Sequence, residues 1–370
     1  MDRYVRPRYG DPNAVKKTCV LPYSTIRVDV PTFETPVTPV ENFRLAAARK
    51  TPYWIPNHLT DYQQTMVQNI VIGDVGFAPD LYAAHEDGER MVDCFGCDWI
   101  WVASAGGPML TPGTHVVEDI TEWEKDVKWP NLSDWDWQTK ADQFMKNEYD
   151  PNKVLHINLF QGATERLIAL LGGYTEGMLA LAMEPEAVLD YMNAFAEYFI
   201  GLFDHVRSLY PVDMITYHDD WGTEKDTFFG NGMMEELIFE PTKRIVDHVK
   251  EAGCVFELHS CGNVTRFIPY MIDMGVDFLQ LQRRAVDLPA MKKKYGDKIG
   301  FNTGLEGLAP GTPLSGEELL QHVRDSVDLY GAHGGFYPML FESDPKKAWE
   351  ISGELYTYSR AYYDRERETG

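Results

Sequence analysis

The 370-residue sequence predicts an α/β fold, a (β/α)8 barrel, on three observations. From about residue 150 onward, short apolar runs alternate with long amphipathic stretches, the pattern of βα units around a parallel sheet. Histidine, aspartate, asparagine and cysteine gather where the runs end, which is the face on which such a barrel keeps its chemistry. The chain also exceeds the roughly 250 residues a barrel needs, leaving room for an insertion. A doubly wound sheet ranks second, because no G-x-G-x-x-G follows a strand.

In chain order, the first candidate strand is YWIPNH near residue 54 and the second is WIWVAS near residue 101. Residues 76–150 differ in texture, being rich in Trp, Pro and Asp. They read as an insertion covering one mouth of a single barrel domain that spans 1–370. The strands VLHINLF, MITYHDD, VFELHS, FLQLQ, IGFNTG and GFYPML follow. Helical patterns separate them, the longest being EPEAVLDYMNAFAEYFIGLFDHVRSLY, and a last helix begins at DPKKAW with a charged end expected to fray.

Composition narrows the function. At 44% hydrophobic and 25% charged residues, the chain is ordinarily globular. It has no membrane-length apolar run and no signal-peptide pattern, so a cytoplasmic protein is expected. Five scattered cysteines argue for reduced thiols rather than a disulfide framework. A formal net charge of -23 excludes nucleic acid and anionic membranes as partners and leaves a small molecule as substrate.

The strand ends supply Asn57 and His58, Gln161, His218 with Asp219 and Asp220, His259 and Cys261, Gln280 and Gln282, Asn302 and Thr303, and Glu342 with Ser343. In HSCGNV, His259 and Cys261 are two residues apart after a strand, which is half of a typical zinc site. A hydrogen-bonded histidine beside a buried thiol is the plainer reading. In YHDDWG, His218, Asp219 and Asp220 form the candidate catalytic group, able to hold a cation, relay a proton or ligate a metal. Neighbouring side chains point apart, so Asp220 capping a helix or turn while Asp219 faces the cavity stays open. An aspartate beside His218 would raise the imidazole pKa and keep it a proton donor.

Asn57, His58, Tyr217, Trp221, Gln280 and Asn302 are the candidate substrate-binding residues. Tyr53, Trp54, Trp99 and Trp101 add aromatic surface that equally suits a core. Cys94 and Cys97 have C-x-x-C spacing without a second pair and read as packed thiols. The histidines at 85, 115, 156, 205, 248, 322 and 333 read as structural or surface residues.

At HSCGNVTRFIPYMIDMGVDFLQLQ and YHDDWGTEKDTFF the sequence resembles the uroporphyrinogen decarboxylase superfamily, including its zinc-dependent methyltransferase branch. The likeness runs from RMVDCFGCDWIW to the closing helix and implies a (β/α)8 barrel. It also implies a methyltransferase like the methylcobalamin:coenzyme M enzymes and the O- and N-demethylases, in which His259 and Cys261 are the first two zinc ligands. That branch places a third ligand, a cysteine, after the last strand; here Glu342 or Ser343 stands there, making Glu342 the expected third ligand. The decarboxylase's N-terminal arginine motif is missing, with no arginine between Arg49 and Arg90, which disfavours porphyrinogen decarboxylation. No D-x-H-x-x-G cobalamin motif is present, so the corrinoid would come on a separate protein. The expected reaction moves a methyl group between that corrinoid and a small donor, a methyl ether, possibly aromatic, or a methylamine. A cofactor-free decarboxylase of a small acid and a non-catalytic barrel binding a corrinoid protein or ligand are the alternatives.

Overall fold

Side chains claim the backbone N–H groups of Tyr53, Trp54, Ile55 and Asn57, and this displaces the first strand from its expected place. The computed structural model describes residues 4–21, 26–66, 86–104, 107–159, 162–309 and 311–369. By internal contacts the chain divides into two compact units, Met1–Gln64 with Asp150–Leu155 and Asp277–Gly370, and Thr65–Tyr149 with His156–Val276.

The first unit begins with an antiparallel hairpin, β1 (Lys16–Val20) and β2 (Arg27–Pro31). Helix α1 (Pro39–Ala47) starts at a capping box in which Thr38 and Glu41 satisfy each other's backbone N–H groups. Within it Asn42 is fully buried, and its amide accepts from Tyr53 N (2.7 Å) and donates to Trp54 O (2.9 Å). Ile55 N donates to Ser359 Oγ (3.0 Å), Pro56 has no N–H, and Asn57 N donates to Asp61 Oδ2 (2.8 Å). With its donors spent on side chains, YWIPNH cannot enter a ladder. Asn57 instead caps the short helix α2 (His58–Asp61), and the strand is β3 (Tyr62–Met66). Asn57 and His58 thus precede their strand rather than follow it, a correction to the sequence reading.

In the second unit β4 (Arg90–Val92), β5 (Asp98–Val102) and β6 (Gly107–Leu110) form a small antiparallel sheet. WIWVAS therefore belongs to the inserted segment and not to the parallel strands, because β5 pairs antiparallel on both sides. The turn before β5 is built around Asp93, which accepts from Phe95 N, Cys97 N and Trp99 Nε1, each at 2.9 Å. Arg166 closes the arrangement, its Nη1 on Asp93 and 3.6 Å from Cys97 Sγ, its guanidinium over the Phe95 ring. Burial pushes the Cys94 thiol up to about 11 and Cys97 up to about 12, so the C-x-x-C pair is packed and unreactive.

The parallel strands of this unit are β7 (Val154–Leu159), β8 (Met214–His218) and β9 (Val255–Ser260), in chain order and in register. Helices α3 (Ala163–Leu170), α4 (Tyr174–Met183) and α5 (Pro185–Leu209) lie between β7 and β8, and α6 (Phe239–Glu251) between β8 and β9. Helix α5 buries Val188, Tyr191, Met192, Phe195, Phe199, Phe203 and Val206, one stripe at helical spacing, each large side chain contributing about 1.5–3 kcal/mol.

The first unit repeats the pattern with β10 (Phe278–Leu281), β11 (Gly300–Thr303) and β12 (Phe336–Pro338), parallel and in chain order. Helix α7 (Gly316–Tyr330) packs on the long terminal helix α8 (Pro345–Thr369). All six later strands predicted from the sequence are present, and the alternation is that of an α/β barrel. Among the described residues no helix is long and apolar enough to cross a membrane.

The Asp93–Arg166 pair is almost wholly buried, whereas the Arg90–Asp98 pair on the same sheet leaves Arg90 57% exposed. Arg166→Met strands a buried carboxylate and should cost about 3–5 kcal/mol in urea unfolding. Arg90→Ala should leave the unfolding midpoint where it is.

Candidate metal centre

The period of two along each parallel strand sets a polar column on one face of the second unit. His156 and Asn158 on β7, Thr216 and His218 on β8, and Glu257 and His259 on β9 occupy alternate positions. In the deeper layer His156 Nε2 lies 2.5 Å from Thr216 Oγ1, which donates to Glu257 Oε1 at 2.7 Å. All three are fully buried. One layer up, His218 stands opposite His259 in register, with ring centroids 4.5 Å apart and planes inclined by 31°. Burial first, then His259 and His156, hold the His218 imidazole well below its ordinary value, so it is neutral.

The two aspartates that follow diverge. Asp219 turns to the N-terminus of α3, where Thr164 N (3.2 Å) and Glu165 N (2.9 Å) donate to its carboxylate. Tyr217, two residues before it, accepts from Ala163 N at 2.8 Å. Gly162 precedes them because a Cβ there would lie 2.5 Å from Asp219 Cβ and 2.6 Å from Tyr217 Cζ. Three N–H groups that no turn of α3 can satisfy thereby find partners. The sequence reading left open that Asp219 faces the cavity while Asp220 caps, and had an aspartate sustain a charged His218. The structure reverses both points, because the carboxylate is spent on the helix end and burial lowers the histidine. Burial also raises Asp219 to about 7 against the pull of those hydrogen bonds.

Asp220 points the other way. Its Oδ1 accepts from Cys261 N at 2.7 Å and lies 3.6 Å from His259 Nε2, which is 3.3 Å from Cys261 Sγ. The three donor atoms lie within 4.8 Å of one another, each on a half-buried residue. The turn that presents Cys261 needs Gly262, whose φ is +81° and whose Cβ would sit 2.2 Å from the Gly222 backbone. Zinc bonds of about 2.0–2.3 Å at tetrahedral angles place donors roughly 3.3–3.8 Å apart, and the two separations from His259, 3.6 Å to the carboxylate and 3.3 Å to the thiol, fall in that range.

Two further groups border Asp220. Glu165, in the first turn of α3, is raised well above the carboxylate range by burial, Asp220 and Asp219. Tyr174 at the start of α4 is pushed up to about 12 by burial, with Glu165, Asp220 and Cys261 adding to it.

Of the residues picked from the sequence, His218, Asp220, His259 and Cys261 come together. Tyr217 and Trp221 pack instead: the Tyr217 ring meets Phe199 edge-on at 5.0 Å and Trp221 lies against Phe267, both fully buried. Asn57, His58, Gln280, Asn302 and Glu342 belong to the other unit. There His58 stacks on Tyr62, Asn302 Nδ2 donates to Tyr337 Oη (2.9 Å), and Gln280 pairs with Asn302 in register. Glu342 is buried, accepting from Asp344 N (2.8 Å) and lining an apolar cavity of about 460 Å3 with Leu305, Leu308, Met339 and Ile351. Among the described residues the third metal-capable donor beside His259 and Cys261 is Asp220. Gln161 and His85 lie outside the described residues. Sequence reading missed Glu165, Asn158, Thr216 and Glu257. The last three were visible as polar residues at every second position of apolar runs, while Glu165 carried no signal beyond following a strand.

The uroporphyrinogen decarboxylase (URO-D) family model matches residues 90–334. Among solved structures, a methyltransferase from Methanosarcina mazei is similar with a TM-score of 0.50 at 13% identity, over 88% of this chain and 99% of that one. Xylanase B from Clostridium stercorarium F9 is similar with a TM-score of 0.35 at 12% identity, over 58% and 74% of the two chains. No curated protein matches the sequence.

Asp219→Ala removes the acceptor of two N–H groups at the α3 terminus and should cost about 1–3 kcal/mol in thermal or urea unfolding. Gly162→Ala should also destabilise, since its Cβ meets side chains at 2.5–2.6 Å. Equal stability of both variants and the parent would refute the capping role.

Proposed function

The chain belongs to the uroporphyrinogen decarboxylase family, and we propose that within it this protein is a zinc-dependent methyltransferase. It moves a methyl group between a small methyl ether or methylamine and a corrinoid carried on a separate protein, in the cytoplasm. The observation that carries the reading is the convergence of Asp220 Oδ1, His259 Nε2 and Cys261 Sγ. These three residues would hold the metal, with Asp220 in the place first expected of Glu342. Zinc, when bound, supplies Lewis acidity that polarises an ether oxygen or lowers the pKa of a thiol.

The chain's own residues prepare that chemistry. A carboxylate in the donor set favours oxygen ligands over a set richer in thiolate, which suits removal of methyl from oxygen or nitrogen donors. The N–H of Cys261 on Asp220 holds the carboxylate beside the thiol. The neutral His218 ring packs against His259 and fixes its plane without adding a competing positive charge.

Metal analysis should find about one zinc per chain, lost in His259→Ala, Cys261→Ser and Asp220→Ala and kept in Asp219→Ala. Single-turnover assays should show methyl transfer from aromatic methyl ethers or methylamines to cob(I)alamin or a corrinoid protein, reduced at least a hundredfold in the first three variants. Metal content unchanged by those substitutions would remove the site. Coproporphyrinogen formed from uroporphyrinogen at enzymatic rates would replace the methyltransferase reading with the decarboxylase activity.

A further inference from the structure

In the first unit a cavity of about 210 Å3 is lined by Lys17, Lys153, Asp61, Ser352, Trp54 and Tyr356, with Phe33 beside them. Lys153 is 9% exposed. Its backbone is fixed where β7 begins: its N–H donates to Asp150 O (3.1 Å) and its carbonyl accepts from Gln63 Nε2 (3.3 Å). Lys17 and Lys153 line the same cavity, and burial first, then this neighbouring amine, pushes Lys153 down to about 8.

The nearby acids are already engaged. Asp61 accepts from Trp54 Nε1 (2.7 Å), Asn57 N (2.8 Å) and Thr60 Oγ1 (2.8 Å). Asp29 is taken by Lys16 (2.6 Å) and Thr18 (2.6 Å), and Cys19 is a buried thiol held up by burial. Among the described residues no carboxylate forms an ion pair with Lys17 or Lys153. Buried ammonium groups are ordinarily paired, because an uncompensated charge costs several kcal/mol. Ser352 Oγ is a second sign: it lines the same cavity, the residue is 1% exposed, and the hydroxyl has no hydrogen-bond partner among the described residues.

We propose that this cavity is a binding site for a small anion, with a carboxylate or phosphate group seated between Lys17 and Lys153 and receiving a hydrogen bond from Ser352 Oγ. Such a ligand supplies the counter-charge the two amines lack. The far wall is aromatic, Phe33 stacked on Tyr356 at 4.1 Å and Trp54 tilted against it at 5.8 Å, and it accepts a flat apolar body on the anion. The overall charge of -23 repels anions, so occupancy depends on these local cations. The site shares no residue with the metal centre, and its test is independent of the proposed reaction.

The test is calorimetric titration and thermal unfolding of the full chain with sodium acetate, benzoate and inorganic phosphate at fixed ionic strength, with benzamide as the neutral control. At least one anion should bind and raise the melting temperature while benzamide does nothing, and the response to each salt tells an organic carboxylate from phosphate. Lys153→Met should weaken binding at least tenfold and Lys17→Met several-fold. Lys17 is on the surface, so its variant keeps the experiment decisive if Lys153→Met folds poorly. No melting shift beyond that of sodium chloride, or equal responses in the parent and both lysine variants, would overturn the proposal.

Discussion

The candidate metal centre depends on how the N-terminus of α3 is satisfied. Three backbone N–H groups there are taken by the Tyr217 hydroxyl and the Asp219 carboxylate, both from the end of β8. Once Asp219 is committed to the helix, its neighbour must face the opposite side, since successive residues leaving a strand point apart. Asp220 is thereby delivered to His259 and Cys261 on the next strand. A helix-capping requirement thus sets the geometry of a ligand cluster that α3 itself does not ligate.

Much of this was legible in the sequence, for identifiable reasons. The runs VLHINLF, MITYHDD and VFELHS became strands because apolar residues buried on one face leave the other face to polar ones, a period that survives any tertiary context. His259 and Cys261 were legible because two metal-capable donors at a strand end are rare by accident. YWIPNH was misread because its pattern is strand-like, while the partners of its backbone, Asn42, Asp61 and Ser359, lie up to hundreds of residues away. WIWVAS is a true strand in the wrong sheet, a distinction that local composition does not encode. The choice between Asp219 and Asp220 was beyond sequence as well, because it rests on Gly162, which leaves no room for a Cβ against Asp219.

Below the cluster, His156, Thr216 and Glu257 form a buried hydrogen-bonded chain where an apolar layer would be cheaper. Such a chain restricts side-chain orientation: Thr216 donates to Glu257, so its oxygen accepts from His156 Nε2, and the tautomer of that ring follows. His218 and His259 then stack above a layer that has one arrangement rather than several. Asn158 completes the face, its amide buried with no hydrogen-bond partner among the described residues. An amide in that condition is stable only if something polar reaches it, and it opens onto the same face as the cluster.

The electrostatics of His218 and Asp219 show how burial acts on adjacent ionisable residues. Burial lowers His218 and raises Asp219, in each case favouring the neutral form. For Asp219 the folded value, about 7, exceeds the ordinary 3.8, so its ionisation opposes folding from about pH 4 upward and does so fully above about pH 7. A carboxylate kept there in spite of that cost must return something, and the two N–H bonds with the positive end of α3 are what it returns. Asp220 is only half-buried, and its carboxylate lies against the backbone N–H of Cys261 and the His259 ring instead. The partners each carboxylate meets, the α3 terminus for Asp219 and the Cys261 N–H for Asp220, therefore separate two neighbouring aspartates into a helix anchor and a donor beside His259 and Cys261.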